Sequence, residues 1–598
     1  MSRVEFKNRS VIIDGKPVQI ISGAMHYFRV PREYWRDRME KAVQLGLNGI
    51  ETYMCWNLHE RTEGNFDFSG MLDFEAYIRL AQEMGLYVIV RPGPYICAEW
   101  DNGGLPAWLM KKSGIRYRRM NKHYIDALTN YMNVIIPKLK ALQFDEGGPI
   151  IAMQVENEYG SYSCDKEYLT YLRSLYRNAG VTIPLFTADG VSFWGDPANR
   201  DLMLRGGTIE GSPACLNFGS RALASFDVGK AVRPDDPPFC MEFWCGWFDA
   251  WGCGKHHTRS AESTTDELED MLSTGASVDF YMYHGGTNFE FTAGANGTSD
   301  ADYAPDVTSY DYDALLDEAG NPTEKYFAAQ KIIRKYAPER PFGTPEKGRT
   351  LPACKLEISA MAELFENLDN VAEKVTDNSP LSFEELDQPF GYVLYRTKLP
   401  GNGRGCFELQ DVRDRADLYL NGDQIYTYYR KNSEKRTNTY EFSAGATLDV
   451  LVENLGRINY GPLCGKDSKG VCGDIRFEWQ ALVGWEMWCL PSATPPATLN
   501  WKAYAPLLRA TPAYYKVEFD VEDPADTYLK FPGIHGGAWI NGHVLGRYWN
   551  IGPGSTLYIP GVWLKKGRNE LVIFETEKLV KPYIQLLDHP ELDKVIDG

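Results

Sequence analysis

The chain has no run of basic residues, and its formal net charge is −18. It therefore lacks the clustered Lys and Arg from which nucleic-acid and anionic-membrane binding draw most of their affinity. No stretch approaches the roughly 20 apolar residues of a membrane span, and Met1 to Arg9 lacks the apolar centre of a secretory signal. A soluble, cytoplasmic protein with no nucleic-acid or membrane partner is expected. Twelve cysteines in 598 residues are too sparse for a disulfide scaffold, so reduced thiols are the expectation. None has zinc-ribbon spacing. His256 and His257 beside Cys253 lack a second ligand pair, so no metal or other cofactor is expected.

Aromatic residues are abundant, at 13% with 15 Trp and 36 Tyr. Their flat faces suit sugar rings, and large β-domains use the same residues as core. The length exceeds what one core serves, so several domains are expected.

The first 340 residues alternate short β-branched runs with helical patterns, the signature of βα units. Strands are expected at 19–22, 49–53, 87–91, 150–155, 184–188, 215–218, 239–242 and 280–283. Helices with apolar spacings of three and four fall at 32–45, 71–84, 122–142, 166–179 and 265–274. Eight strands with helices between them predict a (β/α)₈ barrel over 1–340. Tyr53, Glu99, Asn157, Glu158, Asn217, Glu242 and His284 all lie at or just after strand C-termini, where such barrels gather their sites. Beyond Pro341 the helical period disappears. A weak repeat runs an apolar strand into Asn-Gly twice, at Asn421-Gly422 and Asn541-Gly542, the dipeptide of a type I′ hairpin. Two jelly-roll-like β-sandwiches are expected, at 341–480 with its linker and at 481–598, with 343–380 joining one of them.

Glu158 and Glu242 each end an expected barrel strand, the fourth and the seventh. Breaking an acetal through an oxocarbenium-like state with retention needs one protonated carboxyl and one nucleophilic carboxylate about 5 to 5.5 Å apart. Glu158 is the expected acid/base, Glu242 the expected nucleophile, and Asn157 the expected partner of the sugar 2-hydroxyl. One glutamate at a strand end is most often solvated or ion-paired, whereas two in register point to catalysis. Glu156 is read as a supporting or buried, paired acid.

The motifs Gly23 to Arg29, Glu51 to Tyr53 with Trp56-Asn57, Arg91 to Trp100, Gln154 to Gly160, Phe239 to Trp244, Tyr283 to Phe289 and Ser309 to Asp313 together resemble glycoside hydrolase family 35, the β-galactosidases, along the whole chain. The resemblance implies a galactose pocket of Tyr53, the backbone around Ile96, Cys97 and Ala98, the Glu99 side chain, and Asn157, Glu158, Glu242 and Tyr312. Trp244, Trp247 and Tyr460 resemble the aromatic platform of a bacterial branch that trims β-1,3-linked galactose from N-acetylhexosamine. Trp251 is open between cleft wall and core. Three positions depart from the family pattern: Arg61 and Leu315 where proline is usual, and Glu290 where glycine is usual. They are expected near the pocket rim, with the Glu290 carboxylate repelling acidic aglycones.

The reading is a retaining exo-β-galactosidase acting on galactosyl oligosaccharides or glycans. The alternatives are an exo-β-glucosaminidase or other exo-glycosidase on the same scaffold, and a non-catalytic glycan-binding protein. Jelly-roll edges and an acidic surface are compatible with a homodimer.

Overall fold

The computed structural model describes residues 3–431 and 433–593. Eight parallel strands close into a barrel: β1 (Ile21–Met25), β2 (Gly49–Tyr53), β3 (Tyr87–Arg91), β4 (Ile150–Gln154), β5 (Leu185–Gly190), β6 (Ala214–Phe218), β7 (Phe239–Trp244) and β8 (Ser277–His284). Each pairs with its sequence neighbours, and β8 pairs with β1. Strand β1 begins later than its apolar pattern suggested and runs through Gly23. A Cβ there would stand 2.4 Å from Tyr283 Cβ, so only glycine lets β1 and β8 approach this closely.

Four of the helices that clothe the barrel start where the sequence offers a side-chain acceptor. Asp73, Asn121, Asp165 and Ser260 accept from the backbone N–H of Ala76, Tyr124, Tyr168 and Ser263, satisfying donors that the first turn leaves free. No helix among the described residues is long and apolar enough to cross a membrane.

The two β-domains share one plan. In each, a six-stranded sheet is built around a long strand, Thr447–Asn454 or Gly567–Glu575, which pairs on one side with a hairpin. The hairpin turns are the two Asn-Gly dipeptides, with φ of 53° and 83° at Asn421-Gly422 and 50° and 86° at Asn541-Gly542, the positive values a type I′ turn demands. The strands cross the expected boundaries. Segment 343–380 divides, with Cys354–Glu357 and Ala360–Glu363 pairing into the second β-domain and Lys374–Asp377 into the first. Trp485–Cys489, beyond residue 480, also belongs to the first. Such pairings join residues distant in sequence, and no local pattern reports them.

The largest apolar core runs through all three units. It contains the barrel helices and strands together with Tyr392, Tyr419 and Trp488 of the first β-domain and Trp539 and Phe574 of the second. The β-domains are thus built against the barrel.

Candidate active site

The C-terminal ends of the barrel strands open into a cavity of about 640 Å³. Its walls include Tyr53, Cys97, Ala98, Glu99, Asn157, Glu158, Glu242, Trp244, Trp247, Tyr312 and Tyr460, so eleven of the twelve expected site residues meet there. Ile96 does not reach it. That residue is buried behind the wall, its carbonyl accepting from Asn157 Nδ2 at 3.3 Å. Trp251 packs instead against Phe531 and Trp549 of the second β-domain.

Strand β7 carries Glu242 inward, where three neighbours fix its carboxylate. Arg91 Nη2 donates to Oε1 at 2.5 Å and Trp244 Nε1 donates to Oε2 at 3.0 Å. The Tyr53 hydroxyl is shared between Glu242 Oε1 at 2.8 Å and Asn157 Oδ1 at 2.9 Å. Arg91 also donates to Asn157 Oδ1 at 2.6 Å. One guanidinium at the end of β3 therefore orients both the β7 carboxylate and the β4 amide.

Beneath this layer Glu51 and Asp279 are fully buried. Arg91 Nε lies 3.9 Å from Glu51 Oε1, and Ser22 Oγ donates to Asp279 Oδ1 at 2.5 Å. Burial pushes both carboxyls well above their usual range.

Glu158 sits just past β4 with a left-handed backbone, φ 46°, which turns its side chain into the cavity. Asn217 Nδ2, from the end of β6, donates to its Oε1 at 3.2 Å. Burial first, and then the charge of Glu242, push the Glu158 carboxyl up to about 8. It is a proton carrier at neutral pH. Glu156 has the opposite fate: it forms a buried, two-point ion pair with Arg118, both contacts at 2.8 Å, and faces away from the cavity.

The deep end is formed by Cys97, Ala98 and Glu99, three consecutive non-glycine residues with φ between 49° and 58°. Such a run is sterically costly and persists only where surrounding structure imposes it. It aims Glu99 into the pocket. Tyr310 donates to Glu99 Oε2, and burial raises this carboxyl to about 7.

Several contributors escaped the sequence reading. Tyr281 and Phe248 line the cavity, as do Ser161 and a loop of Asn296, Gly297, Thr298 and Asp302. Arg91 had a visible signal, being a charged residue that ends an apolar barrel strand. The loop had none, because its place depends on the first β-domain.

The three departures from the family pattern lie outside the cavity lining. Arg61 and Glu290 pair with each other, Nη1 to Oε1 at 3.0 Å and Nη2 to Oε2 at 2.7 Å. Ser492 of the β-domains donates to Glu290 Oε1 at 2.8 Å. The expected repulsion of acidic aglycones is thereby corrected: the carboxylate is paired with Arg61 and stands outside the cavity lining. Leu315 is fully buried in the core.

Two carboxyls at the mouth of a (β/α)₈ barrel, the half-buried Glu158 raised toward neutrality and the buried Glu242 clamped by an arginine, are the equipment of a glycoside hydrolase. Comparison with known proteins specifies which. The model described as glycosyl hydrolases family 35 matches residues 10–336. Models for a β-galactosidase first all-beta domain and a β-galactosidase galactose-binding domain match 380–491 and 512–569. The chain is 39% identical to a β-galactosidase of Bos taurus, over 96% of this chain and 90% of that one. It is 41% identical to a β-galactosidase of Xanthomonas manihotis, over 91% and 89%. It is also 39% identical to a β-galactosidase-1-like protein 3 of Rattus norvegicus, over 97% and 91%. The chain belongs to glycoside hydrolase family 35. Its activity is that of a β-galactosidase acting with retention of configuration.

Proposed function

We propose that the protein is an exo-acting β-galactosidase that releases single terminal galactose residues, with a preference for β-1,3 linkage to N-acetylhexosamine. Glu242 attacks the anomeric carbon while Glu158 protonates the departing oxygen, giving a galactosyl-enzyme and a free acceptor sugar. Esterification removes the charge of Glu242, which lowers the affinity of Glu158 for its proton. Glu158 is then a base able to activate water, and the second displacement restores both carboxyls.

The observation that carries the exo reading is the asymmetry of the cavity. Its deep end consists of buried residues, among them Glu99 at 7% exposure and Tyr312 at 3%, whereas Trp247 and Tyr460 at the rim are 40% and 42% exposed. One sugar fits the deep end and its aglycone meets the half-exposed aromatics. Trp244 and Trp247 stand edge to face with ring centroids 5.6 Å apart, and Tyr460 adds a third ring from the first β-domain. An N-acetylhexosamine stacks well on such a surface. Galactose at the deep end is favoured by Glu99, because an epimer that leaves a buried polar group unpaired is penalised.

Product analysis on galactosyl-β-1,3- and galactosyl-β-1,4-N-acetylglucosamine tests the linkage preference. Faster release from the β-1,3 isomer is expected, and equal rates would remove the aromatic-platform argument. Galactose as the sole initial product from a longer oligosaccharide supports the exo mode; internal fragments would refute it.

A further inference from the structure

The segment that follows β7 joins the barrel to the second β-domain. Val307 N–H donates to the Asp249 carbonyl at 3.0 Å, Gly252 N–H donates to the Gly552 carbonyl at 2.7 Å, and His256 N–H donates to Asp593 Oδ1 at 2.8 Å. Residues 249–257 are thus tied at their start, middle and end.

This segment brings together Asp249, Cys253 and His257, spaced four residues apart, with one ligand atom of each within 4.8 Å of the other two. Sequence spacing offered Cys253 and a histidine without a second ligand pair; the fold adds the carboxylate. His257 Nδ1 donates to Asp249 Oδ1 at 2.8 Å. His256 Nδ1 donates to Asp249 Oδ2 at 2.6 Å, a hydrogen bond of the kind that orients metal-binding carboxylates. The Cys253 thiol is exposed and donates to the Lys255 carbonyl at 3.2 Å.

A tetrahedral zinc ion with ordinary bond lengths holds an oxygen and a nitrogen ligand about 3.3 Å apart and a sulfur about 3.6 Å from either. The oxygen–nitrogen pair needs to open by about half an ångström, and the sulfur to close by about 1.2 Å at most. Cys253 stands on an exposed turn between Gly252 and Gly254, with φ of 83° and 90°, and has room for that adjustment. Thiolate, imidazole and carboxylate together suit zinc and disfavour the hard cations magnesium and calcium. The thiolate and the carboxylate balance its two positive charges. The His257 side chain is 44% exposed, which leaves a fourth position for water. None of the three residues lines the cavity.

We propose that Asp249, Cys253 and His257 form a binding site for one zinc ion, separate from the catalytic carboxyls, that braces the segment between β7 and the second β-domain. On binding, the Cys253 thiol proton passes to solvent, and the hydrogen between His257 Nδ1 and Asp249 Oδ1 gives way to the metal, leaving the imidazole protonated at Nε2.

The test uses the untagged full-length chain, stripped of metal, with Zn(II) and with Co(II) as a spectroscopic stand-in. One Zn(II) per chain is expected by titration calorimetry, with a rise in Tm, and Co(II) is expected to give a thiolate-to-metal charge-transfer band in the near ultraviolet. Cys253→Ser and His257→Ala are each expected to weaken Zn(II) binding about tenfold or more, and Cys253→Ser to abolish the cobalt band. Galactosidase turnover without metal, unchanged in both variants, reports that they are folded. Absence of stoichiometric Zn(II) binding by the parent overturns the site, as does binding that either variant keeps within twofold of the parent, or a cobalt band that survives Cys253→Ser.

Discussion

Glu158 is held in two conditions that reinforce one another: a left-handed backbone that sends its carboxyl into the cavity and a half-buried setting beside Glu242 that raises its pKa to about 8. The carboxyl is protonated in the folded protein up to that pH, whereas in the unfolded chain it ionises near 4.3. The folded state binds the proton more tightly, so this group's contribution to stability is full below about pH 4 and is lost as pH rises through 8. Glu158→Gln, which cannot ionise, is therefore expected to raise Tm relative to the parent at pH 8.5 and to lose that advantage near pH 5. Scanning calorimetry at the two values checks it; an advantage that grows toward acid pH contradicts the assignment. The same proton predicts an alkaline fall in kcat/KM near pH 8. For the nucleophile, Glu242→Gln is expected to lower turnover by roughly 10⁴-fold or more while retaining substrate binding, measured by rapid-quench kinetics beside titration calorimetry.

Arg61 and Glu290 look like two unrelated oddities in the sequence, yet they are one feature of the fold. A double-mutant cycle with Arg61→Ala and Glu290→Ala is expected to give a coupling of about 1 to 2 kcal/mol in urea unfolding, moderated by the 37% exposure of Arg61. Additive effects would mean that the pair contributes nothing.

Among the elements, the segment leading to Tyr460 has an anchor that its sequence does not advertise. Arg457 is fully buried and donates to Asp101 Oδ2 at 3.0 Å and to Glu384 Oε1 at 2.5 Å, tying the first β-domain to the loop after β3. Removing one partner of a buried charge cluster leaves the others uncompensated, so Arg457→Ala is expected to destabilise the protein by about 3 to 5 kcal/mol. Denaturant unfolding measures it, and a change below about 1 kcal/mol would show the acids to be neutral already. This contrast explains what was legible. Barrel strands carry their own signature, apolar runs of five or so residues between amphipathic helices, and Glu158 and Glu242 stand at their ends. Asn-Gly marks its hairpins just as locally. The assignment of Trp485–Cys489 to the first β-domain, the parallel pairing of Asn296 with Tyr460, and the seclusion of Ile96 each depend on partners far away in the sequence or on the exact path of a turn. Periodicity carries no record of them.

For the molecule as a whole, the continuous core through barrel and β-domains makes the three units interdependent. A single cooperative transition is expected in calorimetry, with calorimetric and van't Hoff enthalpies in agreement. A fragment ending at residue 340 would expose Phe291 and its neighbours, which pack against Tyr392 and Trp539, and is expected to aggregate. Two resolved transitions would show instead that the β-domains melt independently.

The strand that brings Tyr460 alongside Asn296 also divides the labour of recognition along the gene. The two cavity glutamates and their barrel neighbours are encoded before codon 320, whereas one wall of the cavity is supplied near codon 460. Mutation of the later stretch can reshape that wall without touching the two glutamates, so the parts of the site are free to change separately.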